Sequence, residues 1–278
     1  MEKKGMISKI IHFPLVKIIA GLTVVAGVYA LVQYVVLTLL DYYDLSPDIK
    51  DLIAGLVATV FAVFSYIFLF KFYEKRAIVE FSKRGLLKNL IYGFALGAIL
   101  QSLTILVIYI KGGFSIISVN PLSYLIVPFT MAFTSAVVEE TLVRGIIFRI
   151  LEEKLGSYIA LALSAVLFGM MHLANPHSSI LTGLGLAVQA GLLLGAAYIY
   201  SRSLWFPIGI HFAWNFTQSA VFGANVSGNV ITKTLITSEI TGSPWFTGGD
   251  FGPEGSIQAT IFCLVAAIIL LVRSSKKG

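Results

Sequence analysis

Charged residues are scarce in this sequence. Asp, Glu, Lys and Arg make up 12% of its 278 residues, about half of the quarter that is typical of a soluble domain. Hydrophobic residues make up 57%, and the mean hydropathy is +0.89. This composition excludes a water-soluble globular domain, so we expect a membrane protein.

Cysteine is almost absent, which excludes a framework of disulfides. Cys263 is the only cysteine, and it lies in the last apolar run with no second thiol to pair with. We expect it to be a small packing residue. The first apolar run is too long for the core of a signal peptide and no small-residue cleavage pattern follows it, so a retained helix is expected there.

Long apolar runs recur along the whole chain. Each is close to the ~20 residues that a helix needs to cross ~30 Å of hydrocarbon. The predicted spans are 18–40, 52–70, 89–110, 122–151, 157–173, 180–200, 205–222 and 256–272. The sequence contains no internal repeat. It therefore predicts one all-α membrane domain over residues 1–278, a polytopic helical bundle of about eight transmembrane helices.

Basic residues are concentrated at alternate connections of this bundle. They are Lys3, Lys4, Lys9, Lys17, Lys71, Lys75, Arg76, Lys83, Arg84, Lys88, Arg144, Arg149, Lys154, Arg202, Arg273, Lys276 and Lys277. Lys and Arg near helix ends are retained in the cytoplasm. We therefore expect a multi-pass protein of the plasma membrane with both termini cytoplasmic. A nucleic-acid partner is not expected, because no soluble domain presents these charges.

Two connections have a distinctive composition. Residues 72–88 alternate charged and apolar side chains, which is compatible with an amphipathic helix at the membrane interface or with a solvated connector. Residues 223–255 are rich in Gly, Ser, Thr and Asn, and are predicted to form an external loop, either a lid or a plain connection.

Two adjacent carboxylates follow a long uncharged stretch and are the strongest single feature. A carboxylate at membrane depth is costly, so Glu139 and Glu140 are candidates for function. Arg144 lies one turn after Glu140 in the order that favours an ion pair. Adjacent helical residues point about 100° apart, so Glu139 is expected to face the bundle interior while Glu140 pairs with Arg144.

His172 ends the next apolar run, one turn after Phe168 on the same helical face. Gly156 marks the turn between the two helices, and it lies nearly midway between Glu139 and His172. Two antiparallel helices that leave this turn rise by ~25 Å before they reach these residues. The carboxylate and the imidazole are therefore expected at matching depth.

His211 and Asn215 lie one turn apart after Pro207, so both can point into one cavity. With Glu139 and His172 they provide a base, a second imidazole and an amide donor, which is the inventory that peptide hydrolysis requires. The other histidines, His12 and His177, have no such company and are expected to be interfacial and in a loop.

Three short motifs occur in a fixed order on three predicted helices. They are Glu139-Glu140-Thr-Leu-Val-Arg144-Gly145, Phe168-Gly-Met-Met-His172 and His211-Phe-Ala-Trp-Asn215. Together they resemble the motifs of the CAAX-protease and bacteriocin-processing (Abi) family of intramembrane peptidases. The resemblance covers about 125–220, the predicted catalytic core. It implies an endopeptidase that cuts a membrane-bound protein or peptide; eukaryotic members of the family act on prenylated proteins.

The resemblance also implies roles for individual residues. Glu139, beside Glu140, is implied as the principal catalytic acid, with His172 next to it activating a water molecule. His211 and Asn215 are implied as oxyanion stabilisers, with Arg144 and Phe168 as structural support. A carboxylate in apolar surroundings can take a proton from water and pass it to the leaving amine, which agrees with this assignment.

The cofactor and the function class both have alternatives. Glu139, His172 and His211 would make a three-ligand zinc site, but the H-E-x-x-H pattern is absent, so a metal-free enzyme is favoured. An ion-coupled transporter would use Glu and His as a relay, but the internal repeat typical of transporters is not found. A catalytically silent scaffold or immunity factor would retain the fold without the reaction.

Overall fold

The computed structural model describes residues 13–276. Within that range seven helices are long and apolar enough to cross a membrane. They are α1 (Pro14–Leu40), α2 (Pro47–Tyr73), α3 (Leu86–Ile110), α4 (Leu122–Leu155), α5 (Ser157–Ala174), α6 (Ile180–Ser201) and, after the shorter α7 (Trp205–Phe216), α8 (Ile257–Ser275). Thr217–Val221 extends α7 as a π-helix.

Helices account for 75% of residues 13–276, so the predicted all-α polytopic bundle is confirmed. The chain is a multi-pass integral membrane protein. The eighth predicted span, 205–222, corresponds to α7 with its π-helical extension. His12 and the basic residues Lys3, Lys4, Lys9 and Lys277 lie outside the described residues.

Local sequence explains where several helices begin and end. Proline occupies the first turn of α1 and of α2, where its missing N–H has no helical partner to lose. Gly156 has φ of +79°, which ends α4 and lets α5 turn back beside it. Ser256 caps α8 by accepting a hydrogen bond from the amide of Ala259 at 3.4 Å.

The connection between α2 and α3 agrees with the predicted connector and not with the amphipathic helix. Glu74–Gly85 is irregular and mostly exposed, so an amphipathic helix at 72–88 is wrong. One of its residues, Glu80, is buried and accepts hydrogen bonds from Tyr66 and from Arg76, the latter at 2.6 Å. The backbone amide of Leu204 also donates to the Glu80 carbonyl, at 2.9 Å.

Helices α3 and α7 pack with their backbones in close contact. A Cβ added to Gly93 would lie 2.5 Å from the carbonyl oxygen of Phe206, and one added to Gly97 would lie 2.2 Å from that of Ile210. Small residues four apart allow this approach in membrane bundles. Since Ile210 precedes His211, the contact fixes the height and rotation of the helix that carries His211 and Asn215.

A small sheet lies at one end of the bundle. Strand β1 (Phe114–Val119) pairs antiparallel with β2 (Ile236–Ile240), with Phe114 opposite Ile240 and an irregularity between Ile116 and Ser118. β2 belongs to the segment predicted as an external loop. That segment also contains three short helical turns, Pro244–Thr247, Gly249–Phe251 and Pro253–Gly255.

Candidate functional site

The carboxylate pair lies where α4 changes its helical geometry. Residues Ile126–Glu140 are α-helical and Thr141–Phe148 form a π-helix before the α-helix resumes. Segments of π-helix are frequent at functional sites, because a wider turn re-aims side chains and backbone groups. The change of geometry therefore begins directly after Glu139 and Glu140.

Glu140 and Arg144 form the predicted ion pair. Both side chains are fully buried, and the guanidinium donates to Glu140 Oε1 at 2.8 Å. Arg144 also donates to the carbonyls of Ala190 and Gly191 at 2.6 and 3.0 Å. These carbonyls belong to a second π-helical stretch, Ala187–Leu192, within α6. Arg144 thus joins α4 to α6 at the depth of the site.

Glu140 also contacts the first of the two candidate histidines. Its Oε1 lies 3.2 Å from His211 Nδ1, so an ionised Glu140 accepts the Nδ1 proton. This bond sets the tautomer and the rotation of the buried imidazole, and it leaves Nε2 directed elsewhere. Glu140 is therefore a positioning residue for His211, in addition to being the partner of Arg144.

Glu139 is half-buried on α4. It lies one turn after Ser135, whose Oγ accepts a hydrogen bond from Asn215 Nδ2 at 3.2 Å. Among residues 13–276, no side chain donates a hydrogen bond to the Glu139 carboxylate, and no hydrogen bond joins Glu139 to His172.

His172 lies in the last turn of α5, which His172–Ala174 form. Its Nδ1 lies 2.9 Å from the carbonyl of Phe168, which can only accept, so Nδ1 carries the proton and the neutral ring keeps a lone pair on Nε2. Phe168 is buried and stacks on His172 with ring centroids 4.6 Å apart. The same ring lies under Arg144 at 5.0 Å, so Phe168 supports both groups.

A cavity connects three of the predicted residues. Its lining includes Phe168, His172, His211 and Asn215. The volume that the centres of water molecules can occupy is about 40 Å³. A buried water needs ~10–15 Å³ of such space, so at least one can be held here. Glu139 is not among the lining residues; it lies one turn along α4 from Ser135, whose hydroxyl binds Asn215.

Three further lining residues carry hydrogen-bonding side chains that the sequence did not lead us to expect: Gln189, Ser227 and Glu254. Gln189 Nε2 donates to the Glu254 carbonyl at 2.6 Å, while its Oε1 is buried with no protein partner in the described range. A buried amide in the apolar run of α6 could have indicated Gln189. Ser227 and Glu254 lie in the loop-like segment, where composition gave no such signal.

Glu254 is a buried carboxyl outside the membrane-spanning helices. Gln218 Nε2 and both the amide and hydroxyl of Ser227 donate hydrogen bonds to it. Burial nevertheless raises the pKa of Glu254 to about 7, because the loss of hydration outweighs the bonds from Ser227 that lower it.

The arrangement of donors does not fit the alternative of a zinc site. Across residues 13–276 no group of three or more His, Cys, Asp or Glu side chains is placed to hold a metal ion. The nitrogen of His211 nearest the carboxylates is bonded to Glu140, and the Arg144 cation binds the same oxygen. A divalent cation at this point would face an existing positive charge.

The fold and the cavity define a class: a polytopic membrane protein with carboxylate, imidazole and amide groups gathered between its helices. Residues 121–217 match the family model described as type II CAAX prenyl endopeptidase Rce1-like. Searches of curated proteins and of solved structures gave no significant match. The matched stretch contains all three motifs, so the resemblance stated from the sequence is confirmed over these residues.

Proposed function

We propose that this protein is an intramembrane endopeptidase that hydrolyses a peptide bond in a membrane-associated protein or peptide. One observation carries the proposal: within the stretch that matches the family model, His172, His211 and Asn215 line one cavity beside the Glu139–Glu140 pair. These groups include a base, imidazoles and an amide donor, which together can activate water and stabilise an oxyanion.

In the proposed reaction, the unprotonated Nε2 of His172 orients a water molecule in the cavity, and the Glu139 side chain turns from its position on α4 toward that water. Glu139 takes one proton as the water oxygen attacks the carbonyl carbon of the substrate. The tetrahedral intermediate then collapses, the C–N bond breaks, and the carboxyl proton passes to the leaving amine. The Nδ1 bond from His172 to the Phe168 carbonyl supports this role, because it leaves Nε2 free to accept.

The oxyanion is assigned to Asn215 and His211. Asn215 has an amide donor that now binds Ser135, and a doubly protonated His211 can donate from Nε2 while Glu140 holds Nδ1–H. One such donor contributes on the order of 3 kcal/mol to the transition state. Glu140 acts here through His211, whose charge it balances.

The reaction is proposed to proceed without a metal, since the donors do not form a three-ligand set. The membrane orientation is proposed from charge. Basic residues lie at the end of the bundle that contains Gly156 and Arg202, so this end and both termini are assigned to the cytoplasm, in the plasma membrane.

The test uses the full chain in lipid vesicles and a library of membrane-anchored peptides, half of them prenylated. Glu139→Gln is expected to lower the cleavage rate about 10²- to 10⁴-fold, the usual contribution of a general base. The matched control is Glu153→Gln, on the same helix but with a partly exposed side chain that binds Arg149 at 2.7 Å. It should cleave as the wild type does.

The outcomes separate the three function classes. A peptidase yields fragments that disappear in Glu139→Gln and persist in Glu153→Gln. An ion-coupled transporter yields no fragments but moves protons or ions into the vesicles, and a silent scaffold does neither. Wild-type protein that cleaves no peptide would refute the proposed function. Preference for the prenylated half would identify the lipid as part of the substrate.

A further inference from the structure

Residues 223–256, here called the cap, pack against one end of the bundle. Asn175 Nδ2, from the end of α5, donates to the Ser227 carbonyl at 3.0 Å, and Gln218 Nε2 donates to the Asn225 carbonyl at 2.6 Å. Gly228, with φ of +80°, lies so near the Pro176 carbonyl that a Cβ would come within 1.8 Å of it. The cap is therefore seated on α5 and α7.

The cap takes part in the catalytic cavity. Ser227 and Glu254 line it beside His172 and His211. Glu254 points inward, whereas its neighbours Pro253 and Gly255 line a separate space on the other side of the cap. The turn Pro253–Gly255 is thus the wall between the cavity and that outer space.

The outer space is a groove of about 880 Å³, within the size range of ligand sites. One wall is the turn after α5, with His177, and the first turn of α6, with Thr182. The other wall is the cap from Gly242 to Gly255. Of the described residues that line it, His177 and Asp250 carry the ionisable side chains. A strongly charged ligand would find little complementary charge there.

Backbone groups form much of the groove surface. Gly242 and Gly249 are exposed, have positive φ and line it without side chains. Trp245 contributes an exposed aromatic ring. Exposed backbone N–H and C=O groups recognise the main chain of an extended peptide, and pockets beside them receive its side chains. The chemistry of the groove therefore favours an uncharged, extended peptide segment.

The groove lies at the end of the molecule opposite to the basic clusters. On the cap side, Lys233 binds Asp48, in the first turn of α2, at 2.5 Å. At the other end, Arg202 binds Glu152 at 2.7 Å and Arg149 binds Glu74 at 2.9 Å. Since basic residues mark the cytoplasmic end, the cap faces the outside.

We propose that the groove binds an uncharged, extended segment of the substrate on the outer side of the membrane, and that the chain passes under Pro253–Gly255 to bring its scissile bond into the cavity. This inference rests on the proposed peptidase function and adds to it the side of entry and the character of the substrate next to the cleaved bond.

The test labels single cysteines with a bulky, membrane-impermeant maleimide in intact cells that express the full chain. Asp250→Cys places the thiol in the groove, at a side chain that is 85% exposed. Asp44→Cys is the matched control, an exposed acid at the same end but outside the groove. Lys154→Cys reports on the opposite end. The buried Cys263 of the wild type gives the background.

Asp250→Cys and Asp44→Cys should label in intact cells, and Lys154→Cys after permeabilisation. The bulky adduct on Asp250→Cys should lower cleavage of the membrane-anchored library about tenfold or more, as expected for a blocked binding site. The bulky adduct on Asp44→Cys should leave cleavage unchanged.

Each other result has a defined meaning. If Asp250→Cys is labelled only after permeabilisation, the proposed entry of substrate from the outer side is wrong. If labelled Asp250→Cys cleaves at the wild-type rate, the groove does not bind the substrate, whereas the proposed peptidase function still holds. Wild-type protein that cleaves none of the library would remove the proposed function, and this inference with it.

Discussion

Replacing Arg144 with Met should destabilise the protein strongly. Met keeps an unbranched apolar chain but removes the guanidinium, which donates to Glu140 and to two carbonyls of α6 at 2.6–3.0 Å. Glu140 would then be a fully buried carboxylate with His211 as its sole ionisable neighbour within hydrogen-bond distance in the described part of the chain. Breaking a buried pair in this way costs about 3–5 kcal/mol.

The double variant Glu140→Gln with Arg144→Met should be less destabilised than the sum of the two single changes. With both charges removed, no uncompensated charge stays buried, and the remaining cost is that of lost hydrogen bonds, about 1–2 kcal/mol. The coupling energy between the two sites is therefore expected to be about 2 kcal/mol or more.

Reversible unfolding in mixed micelles, followed by tryptophan fluorescence, measures these free energies. Arg202→Met is the control, because Arg202 forms its ion pair with Glu152 at a side chain that is 56% exposed. An exposed pair contributes about 0–1 kcal/mol. This account of the pair would be refuted if Arg144→Met lowers the free energy of unfolding by no more than Arg202→Met does. It would also be refuted if the losses of the two single variants simply add in the double variant.

Two further predictions concern pH and metal. Because the folded state raises the pKa of Glu254 from 4.5 to about 7, folding favours its protonated form. Cap stability should therefore fall by up to about 3 kcal/mol as pH rises from about 4.5 to about 7 and be constant above that. Hydrogen exchange of cap amides should show this trend, flattened in Glu254→Gln; an unchanged profile in the variant would contradict it. Peptide cleavage should survive treatment with zinc chelators, and a loss of activity that added zinc restores would instead support ligation by Glu139, His172 and His211.

The positions of the helices could be predicted because apolar length alone fixes them. The predicted spans 205–222 and 256–272 end within three residues of the observed helices, as do most of the others. The β1–β2 pairing was not predicted. It joins segments more than a hundred residues apart, and neither strand is long enough to stand out from the apolar runs around it.

The site was predictable to the extent that its contacts are local. The Glu140–Arg144 pair follows from a spacing of four residues on one helix and is present. The contact of Glu140 with His211 crosses from α4 to α7, so periodicity along a single helix carried no sign of it. Glu254 depends on the cap folding back over the bundle, which a Gly-rich composition does not indicate. The catalytic roles of Glu139, His172, His211 and Asn215 remain predictions.

The glycine contact between α3 and α7 limits how a substrate can reach the cavity. At Gly93 and Gly97 the backbone of α3 contacts the backbone of α7 directly, with no side chains between them. Helix α7 is therefore held in a fixed position beside the cavity. The movement that admits a substrate under Pro253–Gly255 is therefore expected from the cap, while His211 and Asn215 stay in place.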